Sequence, residues 1–137
     1  MPVPCSVSGG ILVVDDHSWV LQVLLELLRL AFPQHTVRGA ASAKEAIVLC
    51  RSAMPQVVVM DIMLKEESGL HAVREIRLLD ERVKVVMHSS HDDELVQQAS
   101  MRAGAVAFVS KRDASQLVPA VGRLLQAHSP EDSRTPR

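Results

Sequence analysis

A chain of 137 residues with 47% hydrophobic content can bury one substantial core, so a single domain is expected. Fifteen basic residues nearly balance sixteen acidic ones for a formal charge of −1, and Trp19, Phe32 and Phe108 are the only Phe, Tyr or Trp side chains. That balance excludes the basic footprint of a nucleic-acid-binding surface, and so few rings leave a base-stacking platform or a flavin sandwich without its materials.

Residues 1–9 carry no basic segment followed by an apolar stretch and read as a flexible tail; no run in the chain approaches a membrane span. Cys5 and Cys50 match neither a metal-ligand spacing nor a disulfide framework, which points to a reducing, cytoplasmic setting. From there, apolar runs alternate with helix-period segments, predicting βα units in one domain over residues 10–128. Strand one covers about Ile11 to Asp15. Ser18 to Phe32 follows as a helix, with Leu21, Leu24, Leu25 and Leu28 on one stripe and Pro33 as its stop. Thr36 to Ala40 is a short second strand. Ser42 then caps a helix from Ala43 to Ser52, with Glu45 placed to complete a capping box.

The third strand runs from about Gln56 to Asp61. The polar loop Lys65-Glu66-Glu67-Ser68-Gly69, in which Gly69 relieves a tight turn, leads to a helix from Leu70 to Leu79. Val83 to His88 makes strand four, and Asp92 or Asp93 starts a more polar helix ending near Gly104. Ala105 to Val109 makes strand five, and Asp113 caps a last helix to about Ala127. Residues 129–137 read as a disordered tail or a truncated linker. The expected fold is α/β: a doubly wound, five-stranded parallel sheet in the order 2-1-3-4-5.

Continuous β-branched runs mark strands buried on both faces, and ligands of such sheets bind outside the strands' carboxyl ends. Those ends supply Asp15 and Asp16, then Asp61, Ser89 and Lys111. Three carboxylates held together resist ionising unless a hard, oxygen-liganded cation such as Mg2+ joins them. A carboxylate that can attack phosphorus, a hydroxyl and an ammonium beside such a metal make a set suited to phosphoryl transfer. Alone, an acid pair at a strand end is as often a solvated turn, Ser89 a turn hydroxyl and Phe108 a core ring; the ordered positions together outweigh those readings. The six histidines are scattered and most read as surface or half-buried residues, none as a metal ligand, with His17 at a solvated helix start.

From about Gly10 to His128 the chain resembles the receiver domain of bacterial two-component response regulators. The resemblance rests on VVDD at Val13 to Asp16, MDIML with Gly69 eight positions after Asp61, HSS at His88 to Ser90, and AFVSK ending at Lys111. The run GAVAFVSKRDASQLV is similar to the subclass that precedes a LuxR-type helix-turn-helix. The resemblance implies Asp61 as phosphoacceptor, Asp16 and Asp61 as direct Mg2+ ligands, Asp15 as a ligand largely through water, and the Met63 backbone carbonyl completing the protein's share. It implies that Ser89 contacts the phosphoryl group, that the Ser90 amide donates to it, and that Lys111 pairs with Asp61 or phosphate. Phe108 becomes the switch aromatic, moving inward with the Ser89 hydroxyl and altering the face of helix four and strand five.

The implied partners are a histidine kinase or phosphotransfer protein as donor, and an output protein or a missing DNA-binding domain as receiver of the signal. No direct nucleic-acid or membrane contact is expected of this chain. Two departures stand out. Leu64-Lys65 stands where the family often has Met-Pro, and Met63 and His91 occupy variable positions that in this family help set phosphate lifetime, so the resemblance implies that a methionine there orients attacking water poorly. Helix one also carries more apolar residues than one buried face needs, leaving a wide sheet-covering face or a homodimer through helices one and five. Two alternative functions remain: a phosphorylation-independent interaction module of the same fold, or a Mg2+-dependent phosphatase using the same acids.

Overall fold

A computed structural model of the chain describes residues 9–65 and 67–127. Five strands, β1 (Ile11–Val14), β2 (Val37–Ala40), β3 (Val57–Met60), β6 (Lys84–Ser89) and β7 (Ala107–Ser110), form one sheet in the order β2-β1-β3-β6-β7. Every pairing in it is parallel, with Ile11 opposite both Val37 and Val57. This is the doubly wound order expected above, with β6 and β7 as its fourth and fifth strands.

Successive side chains of a strand point to opposite faces, and the sheet sorts its residues accordingly. Leu12, Val14, Val58, Met60, Val85 and Met87 pack beneath α2 (Ala43–Ser52), α3 (Gly69–Leu79) and α4 (Glu94–Ala103). Ile11, Val13, Val57, Val59, Val86 and Val109 pack beneath α1 (Ser18–Ala31) and α5 (Leu117–Ala127). Both faces are covered, which is why the strands read as unbroken apolar runs. Each fully buried Leu or Ile contributes about 1.5–3 kcal/mol relative to exposure. Leu24, Leu25 and Leu28 carry α1 onto the sheet, while Leu21 is half-buried and Trp19, Val23 and Leu30 face outward.

Helix starts follow local chemistry. Ser42 accepts from the Glu45 amide at 3.1 Å, and Glu45 returns a bond to the Ala41 amide rather than to that of Ser42, so the expected capping box closes one residue early. Ser68 caps α3 and Asp93 caps α4, accepting from Leu70 and Val96. Gly104 ends α4 at φ 120°, a left-handed region that favours glycine.

Two local expectations are corrected and a third, at Gly69, gains its physical cause. The polar loop after β3 contains a short antiparallel ladder, β4 (Met63–Leu64) with β5 (Glu67–Ser68). Asp113 does not cap α5: it sits with φ −131°, ψ 71° inside a 3-10 turn over Lys111–Gln116, accepting from the Ser115 hydroxyl, and Ser110 caps that turn. Gly69 is not at a positive φ; it is required because its α-carbon lies against the Asp61 carbonyl, and a β-carbon there would stand 2.9 Å from the Ile62 α-carbon. Among the described residues no helix is long and apolar enough to cross a membrane. The expected tails, residues 1–9 and 129–137, lie outside the described residues except for Gly9.

Candidate functional site

The carboxyl ends of β1, β3, β6 and β7 converge at one edge of the sheet. The ladder continues past the strands there: the Asp15 amide donates to the Ala40 carbonyl at 3.1 Å and the Asp61 amide to the Val14 carbonyl at 3.0 Å. Both aspartates are therefore held by backbone as well as by side chain, and both are buried, at 1% and 7% exposure. Asp16 is half-buried at the rim. One carboxylate oxygen from each of the three lies within 4.8 Å of the others.

Lys111, the first residue after β7, reaches back across the sheet edge. Its Nζ donates to Asp15 Oδ2 at 2.9 Å and to Asp61 Oδ2 at 3.1 Å. The remaining oxygens are also occupied: Asp15 Oδ1 accepts from the His17 amide, and Asp61 Oδ1 from the Met63 amide at 3.3 Å. Burial pushes the Asp61 carboxyl up from its ordinary range; the Lys111 charge pulls it back and the Asp15 charge adds to the rise. Burial works to lower the Lys111 ammonium, but its bond to Asp15 and the two carboxylate charges outweigh that and raise it.

Three clustered carboxylates with one ammonium leave net negative charge at the sheet edge, and their donor set is all oxygen. Such a set suits a hard divalent cation, so the residues fit Mg2+. Asp16 opens on a groove of about 600 Å³ lined also by Ser42, Lys44, Lys65 and Glu67, which gives the cluster an approach from solvent. Met63 stands beside Asp61 at the start of β4, its amide fixed by the Asp61 carboxylate and its side chain 57% exposed.

Ser89 ends β6, fully buried, with its hydroxyl accepting from the His91 amide at 3.0 Å; Ser90 is exposed next to it. Phe108 is half-buried on β7, packed against the core beneath α4. It lines a groove with Asp92, Gln97 and Ser110. The structure thus brings Asp15, Asp16, Asp61 and Lys111 into one cluster, with Ser89 and Phe108 on the neighbouring strands and Ser90 just past the first of them.

One buried side chain and two contacts at this edge went unread in the sequence. His88 is 3% exposed, unlike the other described histidines, and neither ring nitrogen has a hydrogen-bond partner among the described residues. Its pKa is pushed down to about 4 by burial and by the Lys111 charge, against the pull of Asp15. Ser110 donates to Asp92 at 2.6 Å, tying β7 to the loop before α4. Glu67 accepts from the Ala43 amide at 2.8 Å, tying the loop after Asp61 to α2. Only the alternation of strand residues could have flagged His88; the other two depend on loop geometry.

Residues 11–122 match the family model described as response regulator receiver domain, and the chain belongs to that family. Its relatives include the transcriptional activator protein ExaE of Pseudomonas putida, 34% identical over 121 residues that make 88% of this chain and 56% of that protein. The response regulator UvrY of Escherichia coli (strain K12) is 32% identical over 109 residues, 80% of this chain and 50% of that protein. The chain spans about half the length of these two relatives. A crystal structure of a LuxR-family two-component response regulator from Aurantimonas sp. SI85-9A1 superposes with a TM-score of 0.77 at 30% identity, covering 90% of this chain and 91% of that one. The protein is therefore a response-regulator receiver domain, a signalling domain, and its likeness to LuxR-family regulators agrees with the wording read around Lys111.

Proposed function

We propose that the domain is a phosphoaspartate switch in which Asp61 is the phosphoacceptor. The observation that carries this reading is Asp61 itself: a buried carboxylate, held by Lys111 and the Met63 amide, beside two further carboxylates at the sheet edge. One oxygen of Asp61 attacks the phosphorus of a phosphohistidine or acyl phosphate; the new P–O bond forms as the bond to the leaving imidazole or carboxylate breaks. Mg2+, when bound, supplies positive charge to the phosphoryl oxygens. Asp16, Asp61 and the Met63 carbonyl would hold it directly and Asp15 largely through water. Lys111 neutralises what charge remains, and the Ser89 hydroxyl and Ser90 amide donate to the phosphoryl group.

Phosphorylation adds nearly two negative charges where Lys111 is shared between Asp15 and Asp61. Drawing Lys111 and Ser89 toward the phosphate rearranges the loop before α4 and releases space for Phe108 to move inward. The face of α4 and β7 then differs between two populations, which a few kcal/mol of differential interaction suffices to shift. The domain acts only on its own phosphate. A cytoplasmic histidine kinase or phosphotransfer protein is the donor in this reading, and an output protein or a DNA-binding domain the recipient. Trp19, Val23 and Leu30, exposed on α1, offer a face to a second copy, to which α5 would contribute; a monomer in sedimentation at high micromolar concentration removes that part of the reading.

The test is intact mass after incubation with Mg2+ and acetyl phosphate. A phosphoryl gain that requires Mg2+ and is lost in Asp61→Asn supports the switch; a folded protein that gains none, even from a cognate kinase, is a phosphorylation-independent interaction module.

A further inference from the structure

We infer that Glu67 is a positioning residue of the phosphorylation site, holding the loop that carries Met63 against the N-terminus of α2. This assignment rests on the reading of Asp61 and the Met63 carbonyl as metal ligands. Besides the Met63 amide's bond to Asp61 and the buried Leu64 side chain, contacts at its root and at its far side hold the loop from Met63 to Ser68. At its root, Gly69 lies against the Asp61 carbonyl and its amide donates to the Ile62 carbonyl at 2.8 Å. At its far side, Glu67 Oε1 accepts from the Ala43 amide at 2.8 Å, twenty-four residues away in the chain.

Ala43 is the first residue of α2, so its amide is one of the donors that the helix itself cannot satisfy. A carboxylate is the best acceptor for it, because the bond is charge-assisted and the helix dipole favours negative charge at that end. Ser42 and Glu45 already serve the Glu45 and Ala41 amides, which leaves the Ala43 amide to Glu67. Met63 pairs with Ser68 and Leu64 with Glu67 across the β4–β5 ladder, so fixing Glu67 fixes the strand that begins at Met63. Glu67 and Asp16 line the same groove, placing the attachment beside the cluster it steadies. A loop whose metal-binding carbonyl is held in place binds the cation without first being ordered.

Three variants test this. Glu67→Ala removes the acceptor; Glu67→Gln keeps an acceptor oxygen without the charge; Ala43→Pro removes the donor at a first-turn position where proline is tolerated and where Ser42 already has the extended backbone a following proline demands. Circular dichroism checks that each is folded. Mg2+ is titrated directly by amide chemical shifts, and exchange of the Ala43 amide is followed without metal. Glu67→Ala is expected to weaken Mg2+ binding roughly three- to tenfold, the scale of one ordinary hydrogen bond's net contribution, and to speed Ala43 exchange. Glu67→Gln falls between it and the wild type. Phosphoryl uptake drops at low Mg2+ and recovers at saturation, whereas general damage to the fold lowers it at both. Adding Ala43→Pro to Glu67→Ala weakens binding no further, because both remove one bond. A wild type that binds Mg2+ while Glu67→Ala binds it equally tightly overturns the assignment alone. A wild type that shows no Mg2+-dependent shifts at the acidic cluster overturns the reading of the site and this assignment with it.

Discussion

Lys111 donates from Nζ to Asp61 Oδ2 at 3.1 Å, joining the ends of β7 and β3 across fifty residues of chain. The ammonium opposes the burial that pushes the Asp61 carboxyl upward, so it favours the ionised form of the proposed phosphoacceptor as well as placing it. Lys111→Met should raise the Asp61 titration further, read by carboxyl carbon NMR. It should also slow phosphoryl uptake by about tenfold or more, the scale of losing one charged group from a site of this kind. An unchanged Asp61 titration would separate the two residues functionally.

His88 gives the fold a pH dependence of predictable sign. Its ordinary pKa of 6.5 falls to about 4 in the folded protein, so the unfolded chain takes up its proton first as pH drops. Its contribution is fully present above about 6.5 and is lost as pH falls toward about 4, where folding stability has declined by about 3 kcal/mol on this account. His88→Met should remove that portion of the slope in urea unfolding measured at pH 7, 5.5 and 4.5. Parallel slopes for the two proteins would show that His88 is not the group responsible.

Gly69→Ala should cost about 2–4 kcal/mol, because the added carbon meets the Asp61 carbonyl and the Ile62 α-carbon, backbone atoms that cannot turn aside. Urea unfolding measures the loss. A variant within about 0.5 kcal/mol of wild type would mean that the loop relaxes freely and that Gly69 does not set its path.

What the sequence made legible was whatever its periodicity encodes. Runs such as Val57 to Met60 announce strands buried on both faces, and the polar and charged residues at the ends of four of them mark the edge where sites form. The order Asp15, Asp16, Asp61, Ser89, Lys111 could therefore be read before any coordinate was known. Contacts between loops could not. Glu67 looks like one of several solvated charges until the loop folds back on α2, and Ser110 looks like a strand terminus until Asp92 lies 2.6 Å away. Asp113 has the composition of a cap, but the chain forms a 3-10 turn across it and α5 starts later, at Leu117. Gly69 was legible as the relief of a tight turn, but the backbone it lies against, the Asp61 carbonyl, was not.

Met63 stands next to Asp61 with an exposed apolar side chain that offers attacking water no hydrogen bond. Met63→Asn supplies one and should shorten the phosphate's lifetime by about threefold or more, since water-positioning residues govern such hydrolysis. Loss of the phosphoryl mass with time measures it. Equal lifetimes would place control elsewhere, with His91 the next residue to vary.

The central claim is that Asp61, and neither of its acidic neighbours, carries the phosphoryl group. The most direct measurement is borohydride reduction of the acetyl-phosphate-treated protein, which converts a phosphoaspartate to homoserine, followed by peptide mapping. The account predicts homoserine at position 61 and nowhere else, dependent on Mg2+. Homoserine at position 15 or 16, or at none of the three in a protein that has gained a phosphoryl mass, would contradict it.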